Sequence, residues 1–294
     1  MFASERLRLR NHRRIKIGDR EVLTKGISRP IFQDLYHYCM TVTWPQLFVT
    51  IGIYFLVFDL LFGCLYYLVP GSIANVNPSG FMGNFFFSVE TLATVGYGDM
   101  HPQTAYGHAI AMVEIFVGVM TMALITGLMF ARFSRPRARF IFANHAVIRP
   151  INGKTTLMLR AANARQNIVQ EASAQLRMLK DETTTEGYRF RRVIDIPLVR
   201  SQQPVFVLGW NLMHIIDESS PLNGLTATSL EQCGAVFILS LVGTDETTGH
   251  TLMARKEYSA SAIHFNMTFR DTLETQSDGT VVFDYSKFHD IETL

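Results

Sequence analysis

Between Pro30 and Ala131 the chain has no lysine and no arginine. So long a stretch without a basic side chain is not the surface of an ordinary soluble domain. The nine histidines include no HExxH and no Cys/His cluster at metal-ligand spacing. No nucleotide-binding loop and no catalytic triad stands out, so an enzyme has no support, and neither a cofactor nor a nucleic-acid partner is expected. Cys39, Cys64 and Cys233 are the only cysteines, and none lies between residues 70 and 104.

What fills the gap is apolar. The chain is 48% hydrophobic, unevenly spread. One run covers about Pro45 to Val69 and a second about Ala105 to Ala131. Each exceeds the roughly 20 residues a helix needs to cross a bilayer core. The first starts too late and is too long for a signal peptide. Nine lysines or arginines precede residue 30, and Arg132, Arg135, Arg137 and Arg139 follow the second run. The positive-inside rule places both termini in the cytoplasm and the 70–104 connector outside. Trp44, Tyr66 and Tyr67 sit near the ends of the first run as interfacial anchors. After turn-rich stretches at Pro70-Gly71-Ser72 and Asn77-Pro78-Ser79-Gly80 comes Phe81 to Ala93, too short to span and too apolar to be solvated. It reads as a re-entrant helix, because non-helical backbone at membrane depth survives only where buried or lining a watery cavity.

That helix runs into Thr94-Val95-Gly96-Tyr97-Gly98, followed by Asp99. The stretch reads as a carbonyl-lined potassium filter. An ion sheds its water cheaply only if oxygens replace that water at matching positions. Pointing successive carbonyls at one axis calls for alternating backbone conformations that include positive φ, which glycine tolerates. Gly96 and Gly98 stand at alternate positions, Thr94 can add a hydroxyl oxygen, and the Tyr97 ring is expected to pack outward and brace the loop. One chain supplies one loop, and a ring needs four, so the expected unit is a homotetramer with K+ as permeant ion, held by Thr94, Val95, Gly96 and Tyr97.

Further segments carry a resemblance. The chain resembles the inward-rectifier potassium channel family, specifically its prokaryotic members. The likeness rests on ETLATVGYGDM in the pore, on GLMFARFSRPRAR from Gly127 to Arg139, on Ile194-Asp195 through Arg200, on QPVFVLGW from Gln203 to Trp210, on MHIIDE from Met213 with Ser220-Pro221-Leu222, and on Ala254-Arg255 with Tyr258. It implies a membrane α plus all-β fold. A cytoplasmic N-terminus with a slide helix (1–44, the helix about Ile31 to Val42) precedes a two-helix pore domain (45–139), with pore helix 81–93 and filter 94–98. A cytoplasmic immunoglobulin-like β-sandwich (140–294) follows. Strand-like runs at Thr155 to Arg160, Ile168 to Lys180, Tyr188 to Val199, Val205 to Leu208, Ala235 to Val242 and Thr280 to Tyr285, with turn residues between, agree with a sandwich. A multi-pass protein of a bacterial inner membrane is implied, and the connector without cysteine fits that type.

The same resemblance suggests roles. As in many simple potassium channels, Glu90 and Asp99 are expected to meet behind the filter and share a proton, with Glu90 bonding backbone or water the alternative. Met100 stands where many eukaryotic relatives carry a basic residue. Gly118 is a candidate hinge, although close helix packing explains it equally, and Gly127 is a second such position. Phe130 is expected to narrow the cytoplasmic exit, with a lipid-facing or packed ring the alternative. Met122 occupies the position of the acidic residue of strong rectifiers, which implies weak rectification. Thr121 and Thr126 are candidate cavity-lining hydroxyls, with back-bonding to their own helix the alternative. Arg132, Arg135, Arg137 and Arg139 are the expected site for anionic lipid of the phosphoinositide kind, with a role in topology alone the alternative, and Gln33, Thr41, Thr43 and Pro45 replace basic residues that relatives often carry at the entry to the first span. Asp59 and Glu114 are ionisable groups at membrane depth, which by default face protein or water and have a role. His37 on the slide helix is read as interfacial packing ahead of pH sensing. The domain from residue 140 holds more acidic than basic residues, so a cation-attracting vestibule and a plain solvated surface both stand. The reading is a passive, lipid-gated potassium channel. A membrane-anchored sensor and a non-selective cation channel are the alternatives, and the intact filter sequence argues against both.

Overall fold

A computed structural model of the chain describes residues 13–17, 20–24 and 35–294. Expectations for residues 1–12, 18–19 and 25–34, including Gln33 and the start of the slide helix, lie outside them. Two compact units result: Ile27–Arg135, and Pro136–Leu294 together with the segment up to Gly26.

The first unit is helical. α1 (Leu35–Thr41) is followed by α2 (Trp44–Leu68), α3 (Phe81–Leu92) and α4 (Ala105–Phe133). α2 opens on Thr43, whose N–H donates to Gln46 Oε1 at 3.0 Å, with Pro45 in the first turn where its missing N–H costs nothing. Thr104 Oγ1 accepts the Gly107 N–H at 3.1 Å and caps α4. Both α2 and α4 are long and apolar enough to cross a membrane. Most of their large apolar side chains are exposed in the protomer, among them Phe48, Ile53, Met112 and Phe116. Helices apolar on all faces are expected in lipid or buried against other helices. The inner faces meet in a cluster of Phe62, Tyr66, Ile73, Phe87, Met100 and Ala111. The loops on either side of α3 are stitched by β3 (Ile73–Ala74) and β4 (His101–Pro102), which pair antiparallel.

The second unit is β-rich. A hairpin of β1 (Arg13–Ile17) and β2 (Arg20–Thr24) pairs on itself and groups with this unit. One five-stranded sheet contains β5 (Phe140–Phe142), β6 (Ala146–Ile151), β7 (Lys154–Asn163), β11 (Gly209–Ile215) and β14 (Ile263–Phe265). The other contains β8 (Val169–Thr183), β9 (Arg189–Ile196), β10 (Gln202–Phe206), β12 (Val236–Asp245) and β13 (Thr251–Ser259). Leu157, Leu159 and Trp210 of the first sheet share a core with Leu176, Leu239 and Tyr258 of the second, so the expected sandwich is present. Every strand run expected from the sequence overlaps a strand. In the two large sheets β5, β6, β11, β13 and β14 fall outside those runs. β11 alternates Trp210, Leu212 and His214 inward with polar or half-buried neighbours, so its apolar face is interrupted by a histidine. β13 is charge-rich because it is the edge of its sheet, with Leu252 and Tyr258 turned inward. A short helix, α5 (Ala227–Gln232), and the small pairs β15 (Met267–Phe269) with β18 (Ile291–Thr293) and β16 (Leu273–Thr275) with β17 (Val281–Phe283) complete the unit.

Candidate functional site

The site begins where α3 stops. Ala93 N–H still bonds Val89 O at 3.1 Å, and Thr94 N–H tightens to Thr91 O at 3.0 Å. The next two amides turn back onto one acceptor: Glu90 O takes Val95 N–H at 2.9 Å and Gly96 N–H at 3.2 Å. The end of α3 therefore carries the start of the loop, and its carbonyl end bears the negative pole that favours a cation. Positive φ occurs at Thr94 (58°), Gly96 (52°) and Gly98 (86°). The alternation extends one step further than the glycines imply. Thr94 is β-branched, and holding it at positive φ costs on the order of 1–3 kcal/mol, of the kind found at functional sites. Beyond the loop, Asn75 Nδ2 donates to Asp99 O at 3.0 Å and pins its outer end.

The side chains of the loop face solvent in a single protomer. Tyr97 is 79% exposed, so any brace it provides comes from outside this chain. Glu90 and Asp99 make no hydrogen bond or ion pair with each other among the described residues, which departs from expectation. Glu90 is half-buried and Asp99 exposed, and Glu90 serves the loop through its backbone. Met100 is buried in the apolar cluster.

A carboxylate packed against α3 is Glu114, which is 0% exposed. Its Oε1 accepts from Ser88 Oγ on α3 at 2.5 Å and its Oε2 from Tyr66 OH on α2 at 2.6 Å. A buried carboxylate is tolerable when donors saturate it, and here they come from two other helices. Asp59 is 6% exposed, and its Oδ1 is buried with no hydrogen-bond partner among the described residues. Sequence reasoning marked both carboxyls without finding partners for them. The signal was the ionisable residue in an apolar run.

α4 is unbroken from Ala105 to Phe133. A Cβ on Gly118 would lie 2.3 Å from Leu92 O, so close packing accounts for this glycine. Gly127 has nothing within 4 Å of such a Cβ. Thr121 is a correction. It is buried, and its Oγ1 lies 2.9 Å from Tyr54 OH on α2, so it does not line a cavity. From Thr121 to Phe130 is about two and a half turns of an α-helix, which puts them on opposite faces. Phe130 is 72% exposed and has its face free. Met122 is exposed, and Thr126 Oγ1 donates to Met122 O at 2.8 Å, the back-bonding alternative.

Arg132 is the second correction. It is buried rather than presented to lipid. Its Nη1 donates to Cys39 O at 2.6 Å and its Nη2 to Val42 O at 2.7 Å, and the guanidinium sits 4.5 Å from the centre of the Trp44 ring. It therefore satisfies carbonyls at the C-terminal end of α1, assisted by Arg135 Nη1 to Met40 O at 3.2 Å. Arg135, Arg137 and Arg139 are exposed. His37 is exposed on α1, Cys39 and Cys233 are half-buried, Cys64 is exposed, and all three thiols are free.

Comparison with known proteins agrees with this geometry. Residues 140–294 match the model of the inward rectifier potassium channel C-terminal domain, and residues 53–135 match an ion channel model. The inward rectifier potassium channel Kirbac3.1 of Paramagnetospirillum magnetotacticum is 37% identical over 275 residues, 93% of this chain and 93% of that one. Human ATP-sensitive inward rectifier potassium channel 12 is 28% identical over 89% of this chain and 65% of its own length. Human ATP-sensitive inward rectifier potassium channel 8 is 28% identical over 87% of this chain and 67% of its own.

Proposed function

Because this chain belongs to the inward rectifier potassium channel family and is a potassium channel rather than an enzyme, we propose that four copies surround one axis and pass K+ through a filter built from residues 94–98. The observation that carries the reading is the alternation of positive φ at Thr94, Gly96 and Gly98. It lets carbonyls of Thr94, Val95, Gly96 and Tyr97 turn to a common side, with the Thr94 hydroxyl below them. A ring of four such loops replaces the ion's water with oxygens, so the ion enters at little net cost and leaves by knock-on. The α3 carbonyl ends add a cation-favouring field. Conduction is passive.

The remaining roles follow from exposed residues. A ring of four Phe130 side chains closes the inner exit by size and dewetting. Met122 carries no charge, so voltage-dependent block by polyamines or magnesium is weak. Arg135, Arg137 and Arg139 attract anionic phosphoinositide head groups, at about 1 kcal/mol per basic residue near the surface, and so couple lipid to gating. The two termini lie on the cytoplasmic side of a bacterial inner membrane.

The test is rubidium uptake into liposomes holding the purified tetramer, with sodium and barium controls and with or without a phosphoinositide. Barium-sensitive uptake that excludes sodium is the expected result, lost in Gly96→Ala. Uptake of sodium and rubidium alike would sink the filter assignment, and no uptake under any lipid condition would favour a sensor with a silent pore.

A further inference from the structure

We propose that the hydrogen bond from Ser88 to Glu114 sets how well the filter discriminates K+ from Na+, with both acting as positioning residues. The inference rests on the assignment of residues 94–98 as the filter.

The pore helix touches α4 at two rungs. Ser88 Oγ meets Glu114 Oε1 at 2.5 Å, and Leu92 O meets the bare Cα side of Gly118, where a Cβ would come within 2.3 Å. The residues are four apart on each helix, one turn on each side. Two rungs one turn apart fix both the rotation and the axial position of α3. Between them in sequence sits Glu90, whose carbonyl holds the amides of Val95 and Gly96. Any rotation of α3 about its axis therefore moves the first filter carbonyls. Discrimination between ions depends on where those oxygens stand and how freely they move. Glu114 is itself fixed by Tyr66 of α2 at 2.6 Å, so the lower rung hangs on a three-helix junction of fully buried groups. Both rungs are backbone or buried polar contacts, neither of which yields gradually.

The experiment compares Ser88→Ala, Tyr66→Phe and Glu114→Gln in liposomes, reading the rubidium-to-sodium uptake ratio of each variant after confirming its tetramer by size. Ser88→Ala removes the α3 rung alone. Its ratio is expected to fall about fivefold or more, the equilibrium equivalent of one typical lost hydrogen bond. Tyr66→Phe leaves the α3 rung in place but loosens Glu114, and its ratio is expected to fall less than that of Ser88→Ala. Glu114→Gln keeps an acceptor for Ser88 and is expected to fall between them. A Ser88→Ala tetramer with the wild-type ratio would overturn the proposal. If Ser88→Ala does not assemble, Glu114→Gln decides: a ratio equal to wild type in both Glu114→Gln and Tyr66→Phe would overturn it. A wild-type protein that passes both ions alike would overturn the filter assignment itself, and this inference with it.

Discussion

Gly118 of α4 and Leu92 at the end of α3 touch backbone to backbone, with room for no side-chain atom between them: an added Cβ would lie 2.3 Å from the Leu92 carbonyl oxygen. Carbonyl backbone cannot step aside as a flexible side chain can. Gly118→Ala is expected to destabilise the helical unit by about 1–3 kcal/mol and to cut rubidium flux. Gly127→Ala meets nothing within 4 Å and is expected to assemble as wild type. Size-exclusion profiles and flux on the two variants check both. Normal assembly and flux in Gly118→Ala would mean that α3 and α4 are not held at this distance.

Arg132 clamps two carbonyls of the α1 C-terminal region and covers Trp44. Lysine keeps the charge but neither the paired donors nor the planar stack. Arg132→Lys is expected to lower the local opening free energy of α1 by about 1–3 kcal/mol, read as faster amide exchange over residues 36–42. Unchanged exchange would refute the clamp and return Arg132 to the lipid-facing group.

Thr121 and Thr126 separate by face. Thr121→Val loses the bond to Tyr54 OH and is expected to cost about 0.5–1.5 kcal/mol of stability with ion selectivity intact. Thr126→Val loses only a bond to its own helix, so its thermal stability is expected to match wild type. Thermal unfolding paired with the rubidium-to-sodium ratio tests the pair. A Thr121→Val channel that unfolds normally but loses selectivity would place Thr121 on the ion path after all.

His214 is buried on β11. Its Nδ1 lies 2.6 Å from Pro197 O and its Nε2 2.7 Å from Ser220 Oγ. Burial holds its pKa below the ordinary histidine value, against a smaller upward pull from Pro197 O and Asp217. The unfolded chain then binds the proton more readily than the folded one. Stability from this site is present above the unfolded pKa of about 6.5 and is lost as pH falls through the lower folded value. Thermal melts of the protein from pH 7.5 to 5 are expected to drop with acidity, less steeply in His214→Gln. An identical pH slope in the variant would show that the loss arises elsewhere.

The three longest helices and the glycine pattern of residues 94–98 were legible because each is local. An apolar run, a charge-free window and a five-residue motif need no knowledge of what packs against them. The strands that alternate cleanly were legible for the same reason, and β11 was not, because His214 stands where an apolar residue would have completed the pattern. Asp59 and Glu114 stood out in the sequence only as ionisable residues within apolar runs. Their neighbours are set by helix rotation, and Ser88 is 26 residues from Glu114.

From its residue order alone this protein has two helices long and apolar enough to span a membrane, a short apolar helix between them and a loop whose glycines alternate, since hydrophobic length and backbone permissiveness belong to single segments. Which side of α4 meets the bundle is a different kind of fact. It turns Thr121 inward and leaves Phe130 free. It brings Ser88 and Tyr66 to Glu114, and packing alone decides it, because a helix apolar all round has no preferred face until a glycine and a buried carboxylate find their partners. Arg132 shows the same limit. Its charge predicted a lipid surface, but the unpaired carbonyls at the end of α1 were close enough to claim the guanidinium first.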